Sequence, residues 1–306
     1  MQRRERLLAV TLAAAVTIPA SGQTQTPPSA AHSTASIPDF AGNWWHPSLP
    51  GFEPMASGPR PVTNRSRRNG VSNYDQLVGD YTNPILKPEA AEIVKKHGEL
   101  SLAGVTYPNP ANQCWPEPVP FIYKSFGLQI LQQGDHLTML YDADHQVRHV
   151  RMNQSHPAKI APSWYGDSVG HYEGDTLVID TVGTRTERPY AMLDLYGTPY
   201  TKALHVVERY RLIDYEAAKD GLERDAKENQ VAEGRVDRNY RGKHLQLQFT
   251  VEDEGVFTSP WTATVTYRPS TIVPAEEWPE SVCAENTHEY YYNKESDVPV
   301  AAKPDF

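Results

Sequence analysis

A small group of ionisable side chains falls on strand-like segments, and proton transfer is the chemistry they could carry out. Glu208 shares a predicted strand face with Val206 and Tyr210. Burial on such an apolar face raises the pKa of a carboxyl group, which suits a general acid or base. An internal salt bridge to an arginine is the alternative, because a buried charge is costly unless it is paired. The sequence leaves both roles open.

Three histidines and one arginine complete this set. Strand alternation puts His149 and Arg151 on one face, and His171 follows on the next predicted strand. If these strands are neighbours, the imidazoles can move protons and Arg151 can hold an anion or a developing oxyanion. His205 lies close to Glu208 in sequence but points to the opposite face. The candidate catalytic residues are therefore His149, His171, His205 and Glu208, with structural or exposed roles as the alternative for each histidine.

The aromatic content indicates what such a site could bind. The chain has 17 Tyr, 6 Trp and 7 Phe, and aromatic rings can line a cavity for a flat apolar ligand while hydroxyl groups orient it. Tyr210 and Trp261 are the candidate ring contacts, and Arg151 is the candidate polar contact. Ordinary sheet packing also explains a high aromatic content.

Motifs for other chemistries are missing from the sequence. It has no P-loop, no Gly-x-Gly-x-x-Gly after a strand and no Gly-x-Ser-x-Gly elbow. We therefore predict no nucleotide cofactor and no bound metal. His145 and His149, with Asp142 or Asp144, are the alternative metal ligands, but they surround a predicted hairpin, where this spacing does not create one face. A solvated loop is the plainer interpretation.

The elements that must position these residues are β-hairpins. In three segments an apolar run meets Gly beside a charged residue and then resumes apolar alternation: 128–137, 169–177 and 239–245. Glycine supplies the positive φ of a tight turn and the charged neighbour keeps the turn solvated. Asp135 and Asp175 are accordingly interpreted as turn residues and not as catalytic carboxylates.

Successive hairpins with one apolar face predict a mainly β fold. We expect an antiparallel meander closed into a lipocalin-like barrel or split into a sandwich, with one or two short helices. The helical segments run from Pro88 to about His97 and from about Tyr215 to Lys227, the latter as an insertion within a hairpin.

The N-terminal residues have the pattern of a signal peptide. A basic start at Arg3, Arg4 and Arg6 precedes an apolar run that is too short to span a bilayer, and small residues precede a cleavage site before Gln23. We predict a signal peptide over 1–22, a disordered linker over 23–37 and a single β domain over 38–306. A retained anchor is the alternative, and the arginines leave Sec and twin-arginine export both open.

The charge and the two cysteines fit a periplasmic or secreted protein. Cys114 and Cys283 are the only cysteines, and in an oxidising compartment a disulfide between them is the natural interpretation. Neither lies in a nucleophile motif, which argues against a catalytic thiol. The net charge of −9 offers no basic face for a nucleic-acid partner, and no second apolar run predicts stable membrane insertion.

Several motifs resemble an uncharacterised family of exported bacterial β proteins. They are Ser168–Gly183, Ala203–Arg211, Pro260–Thr264, Gln113-Cys114 and Cys283–Asn286, so the resemblance spans roughly 113–286. Tyr172 stands where that family typically has tryptophan, and most of 215–239 is additional. The resemblance implies a secreted β fold and brings no established reaction. Gly42-Asn43-Trp44 is also similar to the first strand of lipocalin-type barrels.

From the residues we expect an exported enzyme that works without a cofactor on a small, largely apolar molecule, aromatic compounds included. The reaction would be acid/base chemistry of the lyase, hydratase or isomerase type. A periplasmic carrier of a hydrophobic ligand is the alternative, and an envelope structural protein is a third class. An enzyme cavity should contain two or more ionisable groups near one point, whereas a carrier cavity can be nearly all apolar.

Overall fold

The computed structural model describes residues 37–105, 107–186, 191–228, 237, 239–270 and 283. The predicted signal peptide, and all but the last residue of the predicted linker, lie outside this part of the chain. None of the helices in the described residues is long and apolar enough to cross a membrane.

Besides two short 3₁₀-helices, Phe121–Lys124 and Ala143–His145, the described structure contains twelve strands and two α-helices. In chain order they are β1 (Gly42–Trp45), β2 (Glu53–Pro54), β3 (Arg67–Arg68), β4 (Val71–Ser72), α1 (Pro88–Leu102), β5 (Gly127–Gln132), β6 (His136–Tyr141), β7 (Gln146–Met152), β8 (Asp167–Glu173), β9 (Thr176–Val182), β10 (His205–Ile213), α2 (Tyr215–Glu228), β11 (His244–Glu252) and β12 (Trp261–Pro269).

Nine of these strands close into a barrel, as the sequence predicts. The order is β1-β5-β6-β7-β8-β9-β10-β11-β12, and β12 pairs back onto β1. The short β2 pairs with another part of β12. The pairing of β12 with β1 covers the two ends of the strand order, which protects these edges against pairing with other chains.

The predicted inward faces are confirmed for most strands. Buried side chains alternate with less buried ones along β6, β10 and β11, because successive side chains of a strand point to opposite sides. The barrel interior includes, among others, Leu137, Met139, Tyr141, Leu177, Ile179, Val206, Tyr210, Leu247, Phe249, Trp261, Val265 and Tyr267, all buried. Glu208 is also fully buried on this face and pairs in register with Phe249.

One contact departs from the meander. β7 and β8 run parallel and pair at only two positions, Arg151 with Val169 and Met152 with Gly170. By contrast, β10 and β11 pair antiparallel over their whole lengths. We call the β7–β8 contact the seam. It exists because residues 153–166 return the chain to the middle of β7, level with His149, before β8 begins, instead of making a tight turn.

Two of the three predicted turns join adjacent strands. Gly134 lies between β5 and β6, and Gly174 lies between β8 and β9 with a φ of 61°. Gly134 does not adopt the positive φ predicted for it. The third motif was wrong as a turn, because Gly242 lies just before β11 and α2 separates that segment from β10.

Both predicted helices are present. Pro88 occupies the first turn of α1, where its missing N–H costs no hydrogen bond, and Val94 is fully buried. The helix continues to Leu102, five residues past the predicted end. The helix α2 lies between β10 and β11, which pair with each other, so it is an insertion within a hairpin as predicted.

The predicted disulfide is present. Cys114 and Cys283 are bonded, with their Cα atoms 5.5 Å apart and a sequence separation of 169 residues. The bond therefore fixes residue 283, beyond the last strand, to the segment that precedes β5.

Replacing both cysteines tests how far this link stabilises the barrel. We expect the Cys114→Ser/Cys283→Ser variant to lose about 2–5 kcal/mol of unfolding free energy, because a long loop is no longer closed in the unfolded chain. Urea unfolding followed by circular dichroism measures this loss, and the reduced natural protein should match the variant. Equal stability of the variant and the oxidised protein would contradict the expectation.

Candidate functional site

The most buried charges of the barrel form one ion pair in its interior. Arg148 on β7 donates to Glu208 on β10 through Nη1–Oε2 at 2.9 Å and Nη2–Oε1 at 2.5 Å. Both side chains are almost completely buried. This is the internal salt bridge that the sequence left open as the alternative role of Glu208.

Hydroxyl groups satisfy the rest of this pair. Ser168 Oγ accepts from Nε and Nη2 of Arg148 at 3.2 and 3.0 Å, and Thr181 Oγ1 accepts from Nη2 at 2.7 Å. The hydroxyl of Tyr210 donates to Glu208 Oε2 at 3.0 Å. Burial, together with the nearby carboxylate of Glu208, raises the pKa of Tyr210 above its usual value. We call these five residues the interior ion pair and its hydroxyl shell.

Two of the predicted catalytic histidines do not reach this interior. His149 and His171 are exposed on the outer surface of the barrel. His149 Nδ1 lies 3.3 Å from Thr138 Oγ1, and His171 Nε2 lies 3.0 Å from Glu173 Oε1. Their imidazoles therefore do not meet across an internal pocket, and their catalytic roles stay predictions.

The other two predicted polar residues on the outer surface, Arg151 and His205, belong to one chain of charges. Arg151 donates to both oxygens of Asp167 at 2.7 and 3.0 Å. His156 bridges two carboxylates, with Nδ1 2.6 Å from Asp167 Oδ2 and Nε2 2.9 Å from Asp180 Oδ1. His205 Nε2 lies 2.9 Å from Asp180 Oδ2. We call Arg151, Asp167, His156, Asp180 and His205 the outer charge chain.

These contacts shift the pKa values of the outer charge chain in consistent directions. The hydrogen bond from Arg151 lowers the pKa of Asp167, and the hydrogen bond from His205 lowers that of Asp180. In return, the hydrogen bond to Asp180 raises the pKa of His205. Sequence reasoning missed His156, Asp167 and Asp180. The histidine lies in a loop, where no periodicity indicates which strand its side chain faces.

The predicted substrate contacts lie apart from one another. Tyr210 belongs to the interior hydroxyl shell, whereas Trp261 packs in the core against Phe249 and Phe257, with ring centroids 5.9 and 5.8 Å apart. Arg151 belongs to the outer charge chain. The fold therefore does not bring Arg151, Tyr210 and Trp261 to a common surface, and their roles in binding stay predictions.

A pocket of about 410 Å³ lies beside the disulfide. Its described lining is Cys114, Trp115, Pro116, Asp144, His145, Gln146, Val147, Tyr165 and Cys283. We call it the disulfide pocket. Two aromatic rings, one carboxylate and one imidazole contribute to the same concave surface, which is the composition typical of small-molecule sites.

The backbone around the disulfide pocket is locally strained. Cys114, Asp144 and His145 have φ values of 51°, 55° and 50°, a conformation that non-glycine residues rarely adopt. Such residues cost free energy and concentrate at functional sites, where the surrounding structure imposes them. The N–H of Cys283 donates to Asp144 Oδ1 at 2.6 Å, which holds the carboxylate at the pocket.

Gln146 is part of the wall of the disulfide pocket, and three hydrogen bonds hold its side chain. Its Oε1 accepts from the Glu117 N–H at 2.6 Å and from the Tyr165 hydroxyl at 3.0 Å. Its Nε2 donates to the Ala143 carbonyl at 3.0 Å. The side chain of Gln146 is therefore fixed at three points and positions the ring of Tyr165.

The alternative metal ligands of the sequence do not form a cluster. Within the described part of the chain, no three His, Cys, Asp or Glu side chains are arranged to hold a metal ion. His145 lines the disulfide pocket, whereas His149 lies on the outer face of β7.

Comparison with known proteins adds no identification. A scan of protein-family models, a search of curated proteins and a search of solved structures found no match to this chain. The resemblance to an exported family therefore rests on its sequence motifs, while the barrel and the disulfide rest on the structure.

The interior ion pair can be tested by removing one charge or both. We expect Glu208→Leu to cost about 3–5 kcal/mol of unfolding free energy, because Arg148 is then buried without its partner. The double variant Arg148→Met/Glu208→Leu should lose less than the single variant, since no charge is left unpaired. Urea unfolding measures both. The exposed control Glu254→Leu should change stability by less than about 0.5 kcal/mol, and a Glu208→Leu protein as stable as the control would contradict the expectation.

Proposed function

We propose that the protein is a periplasmic acid/base enzyme that acts without a nucleotide cofactor on a small, largely apolar molecule with an aromatic ring. The reaction class is that of a lyase, hydratase or isomerase, and the site is the disulfide pocket. The observation that carries the proposal is that Asp144 and His145 line the same pocket as the rings of Trp115 and Tyr165.

The lining supports an aromatic substrate. Trp115 and Tyr165 present flat surfaces against which a ring can stack, and Pro116 and Val147 add apolar area. The volume of about 410 Å³ falls within the range of small-molecule sites. A neutral or weakly polar aromatic molecule therefore fits this surface better than a highly charged one.

Two ionisable groups support a reaction over simple binding. His145 is the candidate proton-transfer group, because the two nitrogens of an imidazole can accept and donate protons. Asp144 is held by the N–H of Cys283 and supplies negative charge beside it. A positioned acid or base of this kind contributes typically about 10²–10⁴-fold to a rate.

The disulfide supports the proposed location. A bond between Cys114 and Cys283 fits an oxidising compartment outside the cytoplasm. Together with the predicted signal peptide, it favours the periplasm or secretion as the place where the protein works.

A carrier of hydrophobic molecules is the second candidate function. The apolar and aromatic share of the pocket lining favours it, since a carrier needs no proton-transfer group. The interior of the barrel is a less suitable ligand site than the disulfide pocket, because Arg148, Glu208 and their hydroxyl shell occupy it. Turnover separates the two functions.

The first experiment is native mass spectrometry of the protein purified from the periplasm, intact and then denatured. A co-purified aromatic molecule identifies the ligand class and the compound for activity assays. If no molecule is retained, a panel of neutral phenols and aromatic alcohols is screened by calorimetry. Binding with conversion supports the enzyme, binding without conversion supports the carrier, and the absence of both contradicts the proposed pocket.

Substitutions in the disulfide pocket test the assignment of roles. We expect His145→Gln to lower turnover about 100-fold or more with binding within about threefold, because the proton-transfer group is lost and the rings remain. Trp115→Leu should instead weaken binding about tenfold. The control His136→Gln, at a half-buried position on β6 that does not line the disulfide pocket, should match the natural protein in both assays. Unchanged turnover in His145→Gln would contradict a catalytic role of His145.

A further inference from the structure

A second pocket lies beside the C-terminal half of α1, with a volume of about 200 Å³. It is lined by His97 and Ser101 of α1, by residues from the segments before and after this helix, and by Leu195. We call it the helix pocket. It shares no residue with the disulfide pocket, so a site here is independent of the proposed function.

The end of α1 shapes one wall of the helix pocket. The N–H of Gly104 donates to the Ser101 carbonyl at 3.1 Å, and the N–H of Val105 donates to the Leu100 carbonyl at 3.0 Å. These two hydrogen bonds, with a φ of 76° at Gly104, are a common way for a helix to end in a sharp turn. The turn lets the segment at Tyr107 fold back beside the helix and form that wall.

Hydrogen bonds fix the walls of the helix pocket. Asn112 Nδ2 donates to the Tyr107 carbonyl at 3.1 Å, and the backbone N–H groups of Asn109 and Asn112 donate to each other's Oδ1 at 2.8 and 3.1 Å. On the other side, the N–H of Leu77 donates to Ser101 Oγ at 2.9 Å. The pocket is therefore formed before a ligand arrives, as small-molecule sites usually are.

His97 forms the buried end of the helix pocket. The residue is 7 % exposed, and within the part of the chain that the structure describes neither ring nitrogen has a hydrogen-bond partner. The ring of Tyr107 lies against it, with centroids 4.4 Å apart. Gly197 packs so closely that a Cβ atom there would lie 2.4 Å from Cδ2 of His97. These contacts fix the imidazole and leave its nitrogens for another molecule.

The burial of His97 determines what its nitrogens can bind. Burial lowers the pKa of His97 to about 4, so near neutral pH the ring is uncharged and has one N–H donor and one lone pair. A buried polar group without a partner destabilises the fold. A bound molecule that supplies the missing donor or acceptor removes this cost.

The lining favours a neutral molecule with a hydroxyl group. A hydroxyl group can pair with either nitrogen of a neutral imidazole, because it both donates and accepts. Leu77, Val105 and Leu195 add apolar surface for a hydrocarbon body, and the exposed carboxylate of Asp75 disfavours an anion. Since an apolar cavity of about 150 Å³ can hold a benzene molecule, the helix pocket is large enough for one six-membered ring.

We propose that the helix pocket is a second binding site, which takes a small neutral alcohol with a compact apolar body, and that His97 recognises the hydroxyl group. The helix pocket has about half the volume of the disulfide pocket. It therefore excludes larger molecules that the disulfide pocket can hold.

Nuclear magnetic resonance of the oxidised protein with labelled histidines tests this site, because His97 and His145 each line one of the two pockets. We expect cyclohexanol to shift the ring nitrogen resonances of His97, with a dissociation constant of about 1 mM or lower. Cyclohexanecarboxylate should bind at least about tenfold more weakly, because it meets the charge of Asp75. Shifts confined to His145, or tighter binding of cyclohexylammonium than of cyclohexanol, would overturn the proposal.

Variants of the helix pocket test the role of His97, with the Tyr107 amide resonance as the reporter. His97→Phe keeps an aromatic ring but should weaken cyclohexanol binding about tenfold, because the hydrogen bond is lost. Val105→Phe, at a half-buried position, should fill the pocket and abolish binding. The matched control is Ile93→Phe, which is exposed on α1 outside the pocket and should bind as the natural protein does. Natural affinity in both His97→Phe and Val105→Phe would contradict the proposal.

Discussion

The closure of the barrel depends on the ion pair between Arg148 and Glu208. Arg148 extends from β7 past Ser168 on β8 and Thr181 on β9 to reach Glu208 on β10. A charge buried in this way is tolerated only when its partner and its hydrogen bonds are all in place. Four strands must therefore adopt the correct register together, and we interpret the pair as a device that specifies this arrangement as well as one that stabilises it.

The interior of the barrel and the disulfide pocket have different roles. The interior is filled by large side chains and by the satisfied ion pair, which makes it a scaffold. The disulfide pocket is built from connecting segments, in which Cys114, Asp144 and His145 adopt a rare backbone conformation. Loops held by a rigid scaffold commonly carry binding and catalysis. The disulfide contributes to the wall of the disulfide pocket. It also links residue 283 to the segment that precedes β5.

Period-two alternation predicted the strands and the burial of Glu208, because apolar side chains mark the inner face of most strands. It failed on β7, where Val147 is an exposed apolar residue and the inward positions include Gln146 and Arg148. His149 and Arg151 lie on the same face of β7 as Val147, so their side chains point away from the barrel interior. The position of His156 depends on how the loop after β7 folds back onto β8 and β9, and the conformation of Asp144 depends on its tertiary contacts. Neither the position of His156 nor the conformation of Asp144 corresponds to a local pattern in the sequence.

The seam has a consequence for the order in which the chain folds. β5, β6 and β7 are joined by short connections, and so are β8 and β9, so each group can form through contacts that are close in sequence. Joining the two groups requires contacts such as those of Arg148 with Ser168 and Thr181, 20 and 33 residues apart, and such distant contacts form more slowly than local ones. We therefore expect the docking of these two groups across the seam to limit the folding rate. The guanidinium group of Arg148 loses its hydration in the same step, because it becomes buried there.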